Sequence, residues 1–224
     1  YSAVTKLKFK AVKSPDAADL VVTGYRGKET LLGTMAPPGF MGLGGSGAFN
    51  VSGIGWDRGA PGTGALEQGG YGFITIIHEL GHGLGLAHPH DRGGSSIKFP
   101  KVKHADDLGK AGLNQGVYTT MSYNDGWKAN PDGLPPAVGA YGYQGTPMAI
   151  DIAVLQMKYG ANTTYHKGND TYILPDANEV GAFYSCIWDA GGRDKIVCES
   201  DTAAAINLRP ATLKAKAGGG GYIS

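Results

Sequence analysis

Four of the six histidines in this chain, His78, His82, His88 and His90, fall in one short stretch, HELGHGLGLAHPHD. His78 and His82 are four residues apart, which on a helix places both rings on one face about one turn apart. Two imidazole nitrogens so placed can reach a single metal ion at ~2.0–2.1 Å. Glu79 is rotated ~100° from His78 around such a helix, so it misses the metal but reaches a water beside it. A carboxylate there can take that water's proton and later return it to a leaving amine. A helix running on to residue 88 would turn His88 away. Gly85 tolerates positive φ, so the helix can stop there and the chain can double back with a third nitrogen. The fourth position then stays open, as a catalytic zinc requires, and zinc suits this ligand set. The pattern H-E-x-x-H-x-x-G-x-x-H fixes five positions, and chance matches in a chain this size are on the order of one in ten thousand or rarer. His90, His104 and His166 fit no slot in it and read as loop histidines.

The elements that must position these residues follow from periodicity. Phe73, Ile76, Ile77, Leu80 and Leu84 recur at the spacing of a helix face, which predicts a core helix over YGFITIIHELGHG ending near Gly83–Gly85. A second helix is predicted in TPMAIDIAVLQMKYG, with Thr146 as N-cap, Pro147 in the first turn and Gly160 as the stop. Before the histidines, KLKFKAVKSPDAADLVVTGYR reads as two strands about a turn at Ser14–Ala18. Lys6, Lys8 and Lys10 alternate with Leu7 and Phe9 as on a half-buried strand, and DLVVTGY is continuous enough for a buried one. Residues 33–70 are rich in Gly, Pro and Ser, with GAFNVSGIGW as the best strand candidate. Residues 89–117 read as a long loop of the kind that is functional or mobile. Beyond Gly160 the chain changes to short β-prone runs and turns. The expected organisation is therefore a domain over residues 1–160 and the beginning of a β-rich second domain over 161–224.

Composition narrows the class. The 224 residues carry 38 glycines, roughly 17% against a usual ~7%, without a collagen period. Many turns and a β-rich part are expected. The net charge of +1 gives no reason to expect nucleic acid or an anionic membrane as partner. No run of 18 apolar residues exists, so no membrane span is expected. No signal peptide is visible at YSAVTKLKFK. The two cysteines, Cys186 and Cys198, flank DAGGRD on two apolar runs. If those runs pair as a hairpin the sulfurs can face each other; two buried thiols are the equal alternative.

The histidine motif resembles that of the metzincin zinc endopeptidases. That family carries a Met-containing turn below the metal, and YTTMSYNDGW supplies Met121 downstream of His88. Pro89 after the third histidine, and MSY in the turn, are similar to the serralysin branch. The resemblance implies that Met121 is packing under the histidines rather than a ligand. It implies that Tyr123 is an extra zinc ligand at rest, which hydrogen-bonds the tetrahedral intermediate during turnover. IWDAGGRDKI looks like the entry to that branch's β-roll, where Asp and Gly groups bind calcium. On that resemblance Asp189, Gly191 and Asp194 are Ca²⁺ candidates, joined by Asp170 and the carbonyls of His166 and Gly168. A plain polar turn at 189–194 is the other reading. The calcium nonapeptides of the branch do not occur in this sequence.

The expectation is an α+β, metzincin-like zinc protease: a twisted mixed sheet, an active-site helix and a Met-turn half. Its function would be secreted, extracellular zinc endopeptidase action on proteins and peptides, by a monomer. Glu79 would be the base, and Tyr123 with the metal would stabilise the oxyanion. Substrate is expected to lie along an edge strand within residues 40–51. The alternative is a non-catalytic secreted β-rich binding or adhesion module whose zinc site is structural, closed by Tyr123 as fourth ligand.

Overall fold

Ser-Gly-Ala-Phe-Asn is short, uncharged and flanked by glycine-rich turns, and it forms the strand around which the sheet assembles. The computed structural model describes residues 1–28, 30–53, 55–56, 64–92, 97–130, 134–135, 139–201, 203–216 and 222–223. β1 (Val21–Tyr25), β2 (Gly33–Met35) and β3 (Ser46–Asn50) make a mixed sheet in the order β1-β3-β2. β1 runs parallel to β3, with Thr23 opposite Ala48, and β2 runs antiparallel to it, with Thr34 also opposite Ala48. The strand expected within 40–51 is therefore paired on both sides. Since 46–50 already spends both of its backbone rows, the sheet edge nearest α1 among the described residues is β2.

Two strand expectations at the start of the chain are corrected. Residues 7–13 form no strand among the described residues, and the alternation of Lys6, Lys8 and Lys10 finds no partner there. The turn that follows is present, as a single 3-10 turn at Pro15–Ala17. β1 forms but is not buried: it is the outer strand of the sheet, and Val22 is 51% exposed. Ile54, within the GAFNVSGIGW candidate, lies outside the described residues, as do 93–96 of the long loop.

α1 spans Tyr71–Gly83 and carries the first two histidines. Of the expected face, only Leu84, the residue just past the helix, is fully buried. Phe73, Ile76, Ile77 and Leu80 are only half-buried, whereas Ile74, Glu79, Gly81 and Gly83 are buried. The glycines explain this. A Cβ on Gly81 would stand 3.0 Å from the Met121 sulfur, and one on Gly83 would stand 2.8 Å from the Met35 sulfur. Two methionines occupy the space that side chains on the helix would need, one from the sheet and one from the turn beneath.

α2 spans Ala149–Tyr159, two residues later than its sequence suggests. Thr146 is not its cap, since the Thr146 hydroxyl accepts the Cys186 N–H at 2.9 Å. The cap residue is Met148, whose N–H donates to the Asp151 carboxylate at 2.9 Å. Gly160 ends the helix as expected. Leu155 of α2 joins Leu84, Leu86 and Met121 in one buried cluster, and Met148 and Ile150 join Leu113, Val117 and Tyr118 in another. The described part of the long loop is held by side chains rather than by periodic backbone pairing. Buried Asn114 donates to the Ala105 and Asp107 carbonyls, and buried Asn124 donates to those of Ala105 and Asn114.

After α2 come β4 (Thr171–Ile173) paired parallel with β5 (Lys195–Val197), and β6 (Ile206–Asn207) paired antiparallel with β7 (Tyr222–Ile223). The expected hairpin of AFYSCIW with KIVCE does not form, because KIV is committed to β4. The two cysteines are not joined to each other, Cys186 is partly buried and Cys198 is exposed, so neither the disulfide nor two buried thiols describes the pair. A small mixed sheet with few helices is an α+β arrangement. Among the described residues, no helix is long and apolar enough to cross a membrane.

Candidate metal centre

α1 delivers His78 and His82 from successive turns, and the chain then reverses at Gly85, φ +84°. The Leu86 N–H returns to the Gly81 carbonyl at 2.9 Å, which closes the turn and brings His88 back over the helix. The Nε2 atoms of His78 and His82 each lie 3.1 Å from Nε2 of His88. Three nitrogens on one zinc at ~2.0–2.1 Å in tetrahedral geometry stand about 3.3–3.4 Å apart. The three rings therefore present their nitrogens at nearly the spacing a single ion needs.

The other nitrogen of each ring is already used. His78 Nδ1 donates to the Thr120 carbonyl at 2.8 Å, His82 Nδ1 to the Leu86 carbonyl at 2.9 Å, and His88 Nδ1 lies 2.5 Å from an Asp91 carboxylate oxygen. A carbonyl can only accept, so the tautomer is fixed with Nε2 unprotonated and free to bind. Burial pushes His78 down to about 3 and lowers His82 as well. Both rings are thus neutral at physiological pH, the state a metal ligand must have.

Glu79 is only 7% exposed and its Oε2 has no hydrogen-bond partner. Burial raises its carboxyl to about 7. A buried carboxylate oxygen without a partner is costly as structure, and it fits a group that exchanges a proton near neutrality. Gly33 of β2 lies directly against it: a Cβ there would stand 2.8 Å from the Glu79 Cγ. The residues present therefore fit a three-histidine zinc site with a neighbouring base.

Met121 and Tyr123 both lie close to the histidine group. Met121 is fully buried beneath Gly81 and makes no approach as a ligand. Tyr123 is 57% exposed, and its ring centroid lies 4.7 Å from that of His88 and 5.8 Å from that of His78. Burial of its hydroxyl, with Glu79 and Asp91 nearby, raises the phenol above its usual value. His90, which reads as a bystander in sequence, stacks on His88 at 4.9 Å and meets Tyr123 at 4.9 Å. Asp91 and Thr120, which hold the histidines, carry no such signal. Only the i+3 spacing of Asp91 from His88 hinted at the first.

The second group of candidates also converges. Asp189 accepts from the Tyr172 hydroxyl at 2.6 Å and from the Gly191 N–H at 2.8 Å. Asp194 accepts the Asp170 N–H at 2.9 Å, and His166 Nδ1 lies 3.1 Å from the Asp170 carboxylate. The Gly168 carbonyl packs against Gly192, and the His166 carbonyl takes the Ala190 N–H. A metal-sized group of His166, Asp170 and Asp189 results, with Asp170 Oδ2 buried and unpartnered. The structure brings the His166 imidazole toward this group, while its carbonyl is engaged elsewhere.

No family model matches the chain. Individual proteins do. Serralysin from Proteus mirabilis is 35% identical over 163 residues, 65% of this chain. Serralysin C from Dickeya chrysanthemi is 35% identical over 136 residues, 55% of the chain. Metalloprotease AprA from Pseudomonas entomophila is 34% identical over 148 residues, 60% of the chain. The matched stretches span 30%, 26% and 27% of those relatives' own lengths. With a histidine motif that folds into a convergent triad, these similarities support a serralysin-type metalloprotease.

Proposed function

We propose that this chain carries the catalytic unit of a secreted zinc endopeptidase that cleaves proteins and peptides. The observation that carries the reading is the convergence of three Nε2 atoms, with the residue next to the first histidine being a buried Glu79 whose Oε2 has no hydrogen-bond partner. A zinc ion held by His78, His82 and His88 would supply Lewis acidity, activating water and polarising the scissile carbonyl. The protein's own groups do the rest. Glu79 takes the proton of the attacking water and passes it to the departing amine, a role suited to a carboxyl poised near 7. Tyr123 stands at the rim, where its hydroxyl can donate to the developing oxyanion. Thr120, Leu86 and Asp91 keep the three rings oriented. An extended substrate adds to the free edge of β2, whose Gly33 abuts Glu79. The 166–194 group takes Ca²⁺ through its carboxylates, and the metzincin-like architecture follows from the same relatives.

Casein hydrolysis by the purified chain, with zinc removed by chelation and then restored, tests this directly. Cleavage should stop and return. Glu79→Gln should keep stoichiometric zinc and lose about 10²–10⁴-fold in kcat. A site that binds zinc but never cleaves, with Glu79→Gln indistinguishable from the parent, would instead support a structural zinc closed by Tyr123.

A further inference from the structure

Asp151, on the first turn of α2, is a carboxylate 2% exposed with no cation in hydrogen-bond range among the described residues. Burying such a group is expensive unless donors surround it. Three do. The Thr119 hydroxyl donates at 2.6 Å, the Thr120 N–H at 2.7 Å and the Met148 N–H at 2.9 Å. The Met148 contact caps α2. The other two reach into the Met-turn, 31 and 32 residues away in sequence.

The connection continues past Thr119. Its hydroxyl oxygen also accepts the Met121 N–H at 3.1 Å. That N–H belongs to the same rigid peptide plane as the Thr120 carbonyl, and the Thr120 carbonyl is the acceptor that holds His78 Nδ1 at 2.8 Å. One end of this plane is tied through Thr119 to Asp151, and the other end grips a histidine of the triad. A hydroxyl that donates to an anion becomes a better acceptor. An amide whose N–H is so held presents a more basic carbonyl, and hydrogen-bond chains reinforce each other in this way. The end of the chain is the ring nitrogen that must stay protonated if Nε2 is to face an ion.

We infer that Asp151 and Thr119 are positioning residues for the metal site: together they fix the Thr120–Met121 peptide plane and thereby the tautomer and direction of His78. The inference rests on His78 being a zinc ligand, as proposed above. It adds that the buried carboxylate of α2 serves the triad and not only its own helix.

Thr119→Val is the sharper probe, because it keeps shape and burial but cuts the relay while leaving Asp151 bonded to Thr120 and Met148. Thr119→Ser restores the hydroxyl. Asp151→Asn removes the charge. Zinc affinity is read by competition with a chromophoric chelator, Tm by calorimetry, and the His78 Nδ1–H proton by NMR of the metal-free chain. Thr119→Val and Asp151→Asn should weaken zinc binding about 10–100-fold, the usual cost of losing such an outer partner. The Nδ1–H signal should broaden or vanish in both, and Thr119→Ser should recover both readouts. Unchanged zinc affinity and an unchanged Nδ1–H signal in Thr119→Val, with only Tm lowered, would overturn the inference and leave Asp151 as a buried helix cap. If Asp151→Asn does not fold, the two Thr119 variants decide alone. If the parent chain binds no zinc, the function proposed above fails, while the Nδ1–H signal still judges the relay.

Discussion

Glu79 and His78 are neighbours whose ionisation is shifted by the same burial to opposite effect on stability. His78 sits at about 3 in the folded chain, well below an ordinary histidine. Between that value and ~6.5 the unfolded state binds the extra proton, so His78 stabilises the metal-free fold above pH 6.5 and that contribution drains away as pH falls toward 3. Glu79 is raised to about 7. The folded state holds its proton where the unfolded one has lost it, so its contribution is complete below ~4.5 and is lost as pH rises through 7. Urea denaturation of the metal-free chain at pH 5, 7 and 8 should show Glu79→Gln more stable than the parent at pH 8, by about 1–3 kcal/mol, and no such gain at pH 5. The convergence of the three histidines was legible in sequence because it depends on spacing within one helix and one turn. Thr120, Asp91, His90 and Asp151 were not, since a residue that supports a ligand is chosen by where the fold brings it. Asp151 meets Thr119 across 32 positions, and no local pattern records that.

At the scale of elements, the turn after α1 carries most of the design. Gly85 at φ +84° has the left-handed backbone that a side chain resists, and a Cβ there would also stand 2.9 Å from the Lys158 amine. Gly85→Ala should cost about 1–2 kcal/mol in unfolding free energy. Its zinc affinity should fall further than that of a surface control, because the same turn delivers His88; isothermal titration beside urea denaturation separates the two effects. The breaking of the helix at Gly85 was readable in advance, as was the existence of both helices. The packed face of α1 was not. An apolar stripe ordinarily marks the core, but here Gly81 and Gly83, on opposite sides of the helix, admit Met121 and Met35, so two of its closest contacts are made where side chains are absent. The second helix starts late for a related reason. Thr146 looks like a cap, yet its hydroxyl is claimed by Cys186 from a distant segment, and Asp151 caps the helix in its place. Strand order was the least legible feature: whether 46–50 is central or at the edge depends on which other strands arrive, not on its own residues.

For the whole molecule, the stretch beyond α2 gains its order from loops more than from strands, since β4 and β5 are three residues each. On the calcium reading proposed above, a divalent ion at the group of His166, Asp170 and Asp189 would add stability there. Millimolar calcium should therefore raise Tm, and Asp189→Ala should abolish that rise while leaving zinc affinity intact. Cys186 and Cys198 form no disulfide with each other, so a reductant should leave Tm unchanged; a fall would reveal a disulfide. The sheet and the helix meet most closely where Gly33 touches Glu79. That contact gives the cleft a fixed zero point. On the function proposed above, a peptide bond laid along β2 would be counted off from the same glycine that touches Glu79, and a shift of the substrate by one residue would turn each of its side chains to the opposite face and carry the bond out of reach. The strand would then work as a ruler whose origin is the carboxylate, and positional accuracy in cleavage would need no sequence-reading pocket.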